Sequence, residues 1–521
     1  MTLPSAWRPS LPTPASAEGR PGLVWLGLGF ILAAGAALRF WNLTAGFPYR
    51  IGVDEPVVAD LAVRIMKSGD FNPHFFEYPG LYFYLQVLVG SVRFVTGAVD
   101  GLWRSVNEFR PEHLYLWTRT LNAGVGTATI FLVYRAGLRW GASVALLAGG
   151  LMAVWPNHVR ESHFALTDVP LTLLTTLTLV LSLRARETGR LAWFLAAGAS
   201  VGLASATKYS GAAALIMPLV AAAVARAPRT SRASGAIAAT GTAAGAFLIG
   251  APYTILDLPA FLNSFGSLAV AYRPRPFGSG AQIYVAHLTT AIGWTGVLLA
   301  AAGIFWVMVR GVRDRDIGKW AVLVAFPLVY FPMIATKNLI FARYLLPMLP
   351  ALCLFLAVVV TDVVAWIFTL KQPQGVRLTA ASAFVGVVLF HPVKEGFDWP
   401  RQYGRLTTQD VAYRMIQQFI PAQSTVAIER AVLRLPDSAY HTVYVDNLTQ
   451  RSRDEYLTSG VRFLIASSDG FGPAFAQPDK HPQAYQAYHS LLDEAGQCWP
   501  TVEPTSAVSG PEIRICQLRT P

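Results

Sequence analysis

The chain has 521 residues, of which 53% are hydrophobic and only 14% charged, a composition that argues against the two or three water-soluble domains its length would otherwise suggest. Mean hydropathy is +0.42, and apolar runs of about 20 residues recur, a length matched to the roughly 30 Å hydrocarbon core of a bilayer. The formal net charge of +12 sits in short loops and forms no basic patch interleaved with aromatics, so it excludes a nucleic-acid surface and reports topology instead.

Residues 1–21 are Pro/Ser-rich and are predicted to be a disordered cytoplasmic N-terminus. The apolar stretch that follows is too long for a signal-peptide core and lacks a clear cleavage site, so it reads as a retained anchor. Apolar runs then fall at 23–41, 119–134, 141–157, 171–183, 191–206, 211–225, 235–251, 288–309, 320–335, 344–367 and 378–391. Basic clusters lie between them: Arg135 and Arg139; Arg184, Arg186 and Arg190; Arg226, Arg229 and Arg232; Arg310, Arg313, Arg315 and Lys319; Lys371 and Arg377. Positive-inside bias puts each cluster in the cytoplasm. Parity then makes 42–116 one long external loop, whose apolar stretch 80–98 is an interfacial helix or a re-entrant hairpin. The expected architecture is an α-helical polytopic membrane protein with about eleven spans, eleven to thirteen at most, occupying 22–392.

From 393 to 521 the texture changes to mixed polar and apolar. β-like runs such as "STVAIE" and "VRFLIASS" and a helix-like "TTQDVAYRMIQQFI" predict a small α/β domain outside the cytoplasm. Cys353 lies in an apolar span. Cys498 and Cys516 fall in the external tail, where a disulfide is permitted but is not required by the sequence.

Ionisable side chains in or beside membrane spans are costly and need a reason. The topology collects many of them at outer helix ends and outer loops. Carboxylates come from the first half of the chain: Asp54 and Glu55 in "VDEP", Glu77 in "NPHFFEYPG", Glu161 and Asp168 in "RESHFALTDVP". Cations follow: Lys208 in "ATKYSG", Arg273 and Arg275 in "AYRPRPFG", Lys337 and Arg343 with Tyr344 in "TKNLIFARYLLP". One sign could activate a nucleophile while the other holds an anionic leaving group. Each has a plainer alternative. Asp54, Glu55 and Asp168 could cap helix N-termini, with Pro56 suited to a first turn. Lys208 could snorkel to headgroups, and Arg343 could be an interface anchor. His74, His158 and His163 lack metal-ligand spacing and are expected to be polar surface residues.

Five of these pieces, in order, resemble motifs of the GT-C membrane glycosyltransferases, and among them the bacterial relatives of protein O-mannosyltransferases and of the lipid A aminoarabinose transferase. "VDEP" is similar to the Asp-Glu motif of the first external loop, and "FFEYPGLYFYL" to its second acidic site and juxtamembrane helix. "RESHFALTDVPLTLL" resembles the second Asp motif, "LASATKYSGAAAL" the lysine segment, and "ARYLLPMLP" a late Arg-Tyr-x-x-Pro element. The resemblance covers about residues 22–392. It implies transfer of a hexose or pentose from a polyprenyl-phosphate donor to a lipid, glycan or protein acceptor at the outer face of the inner (plasma) membrane, usually with inversion. On this resemblance Asp54 is the general base and Glu55 its assistant. Glu77 and Asp168 complete an acidic cluster that in some members holds a divalent cation, Mg²⁺, Mn²⁺ or Zn²⁺. On the same resemblance Lys208, Arg343 and Tyr344 bind the donor phosphate, and Arg273 and Arg275 do the same or grip an anionic acceptor. The chain departs from both subfamilies: it has "FEYP" where the aminoarabinose enzymes have "FEKP", and it lacks a His-Pro-Pro signature. The substrate pair therefore stays open, galacturonic acid transferases included. The alternative is a transporter or flippase of lipid-linked sugars, for which internal repeats and charges midway through spans are expected and not found.

Overall fold

The computed structural model describes residues 21–519 except 48, 50, 51, 53, 430, 431, 437, 438 and 495. The predicted disordered N-terminus, residues 1–21, lies outside the described residues except for Pro21, which opens the first helix. The chain divides into two compact units. The first contains residues up to Leu43, Asp60–Phe109 and Leu116–Pro400; the second contains Thr44–Ala59, Arg110–Tyr115 and Arg401 onward.

The first unit is a helical bundle. All eleven apolar runs are largely helical, 141–157 being interrupted at Trp155. Among the described residues, eight helices are long and apolar enough to cross a membrane: Gly22–Phe40, Leu81–Val99, Asp168–Thr188, Arg229–Gly250, Phe277–Arg313, Ile317–Ala335, Ala342–Thr369 and Gln374–Tyr403. Four of the expected spans fall short of this standard. Helices Ala142–Val154 and Leu191–Thr207 and the segment Tyr209–Ala223 are shorter, and Tyr115–Gly137 is long but less apolar. Conversely Leu81–Val99, expected in the interface, meets the standard by length and composition. The eleven-span count is therefore not fixed by helix length.

Burial separates the helices. Helix Leu349–Thr369 is buried on every side from Leu349 to Val360, as befits an all-apolar helix at the centre of a bundle. Gln374–Tyr403 buries little and exposes Val387 and Phe390, the pattern of a lipid-facing helix. Leu191–Thr207 packs on Arg229–Gly250 through the GxxxG pair Gly198 and Gly202. A Cβ at Gly198 would lie 2.2 Å from the Ala239 carbonyl oxygen, and one at Gly202 would lie 2.3 Å from that of Ala243. Small residues allow this backbone approach, which is how helices associate where lipid removes the hydrophobic drive. Phe277–Arg313 is broken at Gly293, whose φ of 68° a side chain would resist.

Arg39, at the end of helix Pro21–Phe40, is fully buried. Its guanidinium donates to the carbonyls of Met152 (2.9 Å) and Ala153 (2.8 Å) and to Nδ1 of His158 (2.9 Å). It thus satisfies the orphan carbonyls at the end of helix Ala142–Val154. His158 and His163, expected at the surface, are fully buried. His158 is an acceptor for Arg39, and the His163 ring lies 2.8 Å from the Val159 carbonyl and 2.9 Å from that of Trp41.

The second unit contains the expected α/β domain. Strands β1 (Thr425–Glu429), β2 (His441–Val445), β3 (Phe463–Ser467), β4 (Gly496–Cys498) and β5 (Ile513–Leu518) form one sheet in the order β2-β1-β3-β5-β4. β1 runs parallel to β2 and β3, whereas β5 is antiparallel to β3 and β4. Every residue of β3 is buried, because separate hydrophobic clusters cover the two sheet faces. Cys498 and Cys516 face each other across β4 and β5 and are bridged; Cys353 is free and buried.

Candidate active site

The core of the site follows from a helix hairpin. Asp168 opens helix Asp168–Thr188, Gly189 caps it in the left-handed region, and Leu191–Thr207 returns the chain. Two helices of similar length joined by two residues bring position 208 back beside position 168. Lys208 is the extended residue after the second helix. The following segment Tyr209–Leu215 folds back closely enough that a Cβ at Gly211 would collide with the backbone of Ala204.

The Lys208 ammonium donates to Oδ1 of Asp168 at 2.7 Å, both side chains being largely buried. Arg343 Nε lies 3.7 Å from Oδ2 of the same carboxylate. Asp168 therefore does not cap its helix, and Lys208 does not reach away to headgroups. The Lys208 Nζ also sits 4.5 Å from the centroid of the Tyr344 ring, a cation–π contact. The Tyr344 hydroxyl shares a 2.6 Å hydrogen bond with that of Tyr272.

This arrangement opens on a cavity of about 530 Å³. Its polar lining includes Glu77, Lys208, Tyr272, Lys337 and Tyr344; Phe265, Leu268, Met333, Ile334 and Leu339 make an apolar wall. A greasy cleft with a few convergent polar groups suits an amphiphile with an anionic head. Glu77 is exposed in the cavity wall, whereas Asp168 does not line it. Arg273 and Arg275 do not line it either. Their segment pairs with the one carrying Lys337: Asn338 N donates to Arg273 O at 2.8 Å, and Arg275 N donates to Thr336 O at 2.7 Å. The cation that this pairing places in the cavity lining is Lys337.

Glu161 is a second buried carboxyl near Asp168, with Arg160 at 3.6 Å. It lies in the short helix Pro156–Glu161 between two expected spans. Burial pushes its carboxyl up to about 7, a shift that nearby Asp168 reinforces and the Arg160 charge partly offsets.

Asp54 and Glu55 belong to the second unit. Asp54 is a half-buried turn residue directly before helix Glu55–Ser68. Glu55 is fully buried and accepts the Gly52 amide at 2.7 Å. Glu55 thus performs the back-bonding of a helix N-terminus, and Pro56 follows in the first turn.

The expected cation site does not fit these surroundings. Among the described residues no three His, Cys, Asp or Glu side chains gather as a metal-binding group. Asp168 is already neutralised by Lys208 and Arg343, and a divalent ion on it would sit against an ammonium.

Tyr272 and Tyr209 are among the lining residues to which the sequence alone assigned no role, whereas Lys337 was already one of the rim cations. Tyr272 adjoins Arg273 in "AYRPRPFG" and Tyr209 adjoins Lys208 in "ATKYSG", so an aromatic beside a rim cation was the available signal.

The fold is that of the GT-C membrane glycosyltransferases. It is similar to the Archaeoglobus fulgidus oligosaccharyltransferase in the apo form, with TM-score 0.59, 14% identity, and coverage of 94% of this chain and 74% of that one. It is also similar to the archaeal oligosaccharyltransferase AglB of the same organism in complex with an inhibitory peptide and a dolichol-phosphate, with TM-score 0.58, 12% identity, and 94% and 74% coverage. Third is ArnT from Cupriavidus metallidurans bound to undecaprenyl phosphate, with TM-score 0.54, 16% identity, and 96% and 98% coverage. No curated protein matches the chain in sequence. Residues 33–264 match the family described as dolichyl-phosphate-mannose-protein mannosyltransferase. This match and the shared fold show a likeness to membrane glycosyltransferases, and the apolar helices fit a multi-pass membrane protein.

Proposed function

We propose that the chain transfers a sugar from a polyprenyl-phosphate donor to a lipid, glycan or protein acceptor at the outer face of the inner membrane. The observation that carries this reading is the Asp168–Lys208 pair at the edge of a largely apolar cavity. The prenyl chain lies along the apolar wall and its phosphate meets Lys208, with Lys337 and the Tyr344 hydroxyl beside it. Lys208 is held in place by Asp168 before the donor arrives, so little reorganisation is needed as charge develops on the leaving phosphate. Arg343 shares the Asp168 carboxylate, which leaves Lys208 free to turn part of its charge to the phosphate.

In the reaction the acceptor hydroxyl oxygen bonds to the anomeric carbon as the bond from that carbon to the phosphate oxygen breaks. The electron pair leaves with polyprenyl phosphate, and the hydroxyl proton passes to the Asp54 carboxylate. Glu55, bonded to the Gly52 amide, fixes the turn that presents Asp54 and acts as a positioning residue. Support for Asp54 comes from the "VDEP" resemblance and from its place in the half-buried turn directly before helix Glu55–Ser68. No step is routed through a metal ion.

The test is transfer from a radiolabelled polyprenyl-phosphate sugar by the purified chain in micelles, with the acceptor first identified by mass spectrometry of envelope lipids and glycans from a deletion strain. Asp54→Asn is expected to lower turnover by at least about 100-fold with donor binding retained. Near-normal turnover by that variant would remove Asp54 from the role.

A further inference from the structure

The far end of helix Asp168–Thr188 carries a second cavity that the transfer reaction does not use. At 1.5 Å per residue it lies about 27 Å along the helix from Asp168. The cavity is about 260 Å³, and all six side chains that line it are charged: Arg139, Arg186, Glu187, Arg226, Asp316 and Lys319. Arg139 Nε donates to Glu187 at 2.8 Å. Asp316 takes Arg186 in a close ion pair and has Arg226 at 3.5 Å. The two carboxylates are thus both consumed, while four cations line the space. Lys319 has no ion-pair partner among the described residues.

Two further features favour an anion here. Helix Ile317–Ala335 begins at this cavity, directly after Asp316, whose side chain makes no capping bond. Its first-turn amides carry the positive end of the helix dipole. The Lys319 ammonium is also held 5.4 Å from the ring of Trp320, which is fully buried and packs on Trp140 at 5.0 Å, so a cation–π contact keeps this charge at the cavity. The loops that supply these residues are basic and are expected to face the cytoplasm.

We infer that this cavity binds a phosphate-bearing anion, and that the phosphodiester headgroup of an anionic phospholipid in the cytoplasmic leaflet is its ligand. A phosphodiester matches the surplus cations, and its acyl chains would lie along the neighbouring apolar helices.

The test is native mass spectrometry of the full chain released from detergent, titrated with phosphatidylglycerol or phosphatidylcholine, with inorganic phosphate as competitor. Lys319→Gln combined with Arg226→Gln removes two lining cations. Arg313→Gln combined with Lys371→Gln removes two exposed charges that do not line the cavity and serves as control. Phosphatidylglycerol is expected to bind at least ten-fold more tightly than phosphatidylcholine, and the cavity double variant to weaken it at least about ten-fold, with the control within two-fold. Competition by millimolar inorganic phosphate would support the cavity but overturn the lipid as its ligand. Equal loss in both double variants, or no preference between the two lipids, would overturn the site.

Discussion

Replacing Lys208 with Met tests the candidate site most directly, because it removes the charge and keeps most of the volume. Lys208 is 14% and Asp168 4% exposed, so the substitution leaves a buried carboxylate with only Arg343, at 3.7 Å, to answer it. Removing one partner of a buried pair costs about 3–5 kcal/mol, and the remaining Arg343 contact pulls the expectation toward the lower figure. Catalysis should suffer separately: loss of one preorganised charge at a developing oxyanion costs about 100- to 1000-fold in turnover. The two effects are distinguished by Lys208→Met combined with Asp168→Asn. The pair of substitutions removes the orphaned charge, so thermal stability in detergent should return toward wild type while transfer stays low. Transfer by Lys208→Met within a few-fold of wild type would refute the phosphate role. Failure of the double variant to regain stability would refute the ion pair as the reason for burying Asp168.

Other expectations follow from single features. Gly202→Leu should destabilise the bundle by at least about 3 kcal/mol, since its Cβ alone meets the Ala243 carbonyl; Gly124→Ala, with open space around it, should be neutral by the same melting assay. An unfolded Glu161 loses its proton near the ordinary 4.5, whereas the folded residue keeps it to about 7. The folded state therefore binds more protons in that window, and stability falls as pH rises across it; Glu161→Gln should flatten that slope in melting curves recorded from pH 4.5 to 7. Replacing Cys498 and Cys516 with Ala opens a link spanning 18 residues and should cost roughly 3 kcal/mol in the second unit, read by limited proteolysis of the sheet domain. Chelation with EDTA is expected to leave transfer unchanged, and a loss restored by added Mn²⁺ or Mg²⁺ would put a cation in the site.

What was legible in the sequence has a common physical basis. Bilayer thickness and apolar run length are one-dimensional quantities, so the helices around 23–41 or 344–367 could be read directly. The strands in "STVAIE" and "VRFLIASS" were legible because β-branched runs bounded by polar turns leave few alternatives. The number of spans was less accessible, because Ala142–Val154 and Leu191–Thr207 are shorter than the standard and are held by neighbours as much as by lipid. Glu77, Asp168, Lys208 and Tyr344 were picked out as costly residues in an apolar setting. Their division of labour was not visible, since Asp168 pairs with a lysine 40 positions away and Lys337, not Arg273 or Arg275, lines the cavity. The buried histidines failed for a related reason. His158 is held by Arg39, and nothing local to "WPNHVRESH" announces an arginine 119 positions earlier.

That arginine also constrains how the protein is made. Arg39 ends the first membrane helix, and its carbonyl and imidazole acceptors lie at residues 152–158. During synthesis the first helix must enter the bilayer more than a hundred residues before those acceptors exist. Until then the guanidinium has only water, headgroups and the Gly35 carbonyl of its own helix to serve it. The first helix is therefore an unfinished part when it is inserted, and its seating waits on the helix that ends at Val154. A chain stalled or truncated before residue 158 would present a membrane anchor with an unmet charge, a form that quality-control proteases could tell from the completed bundle.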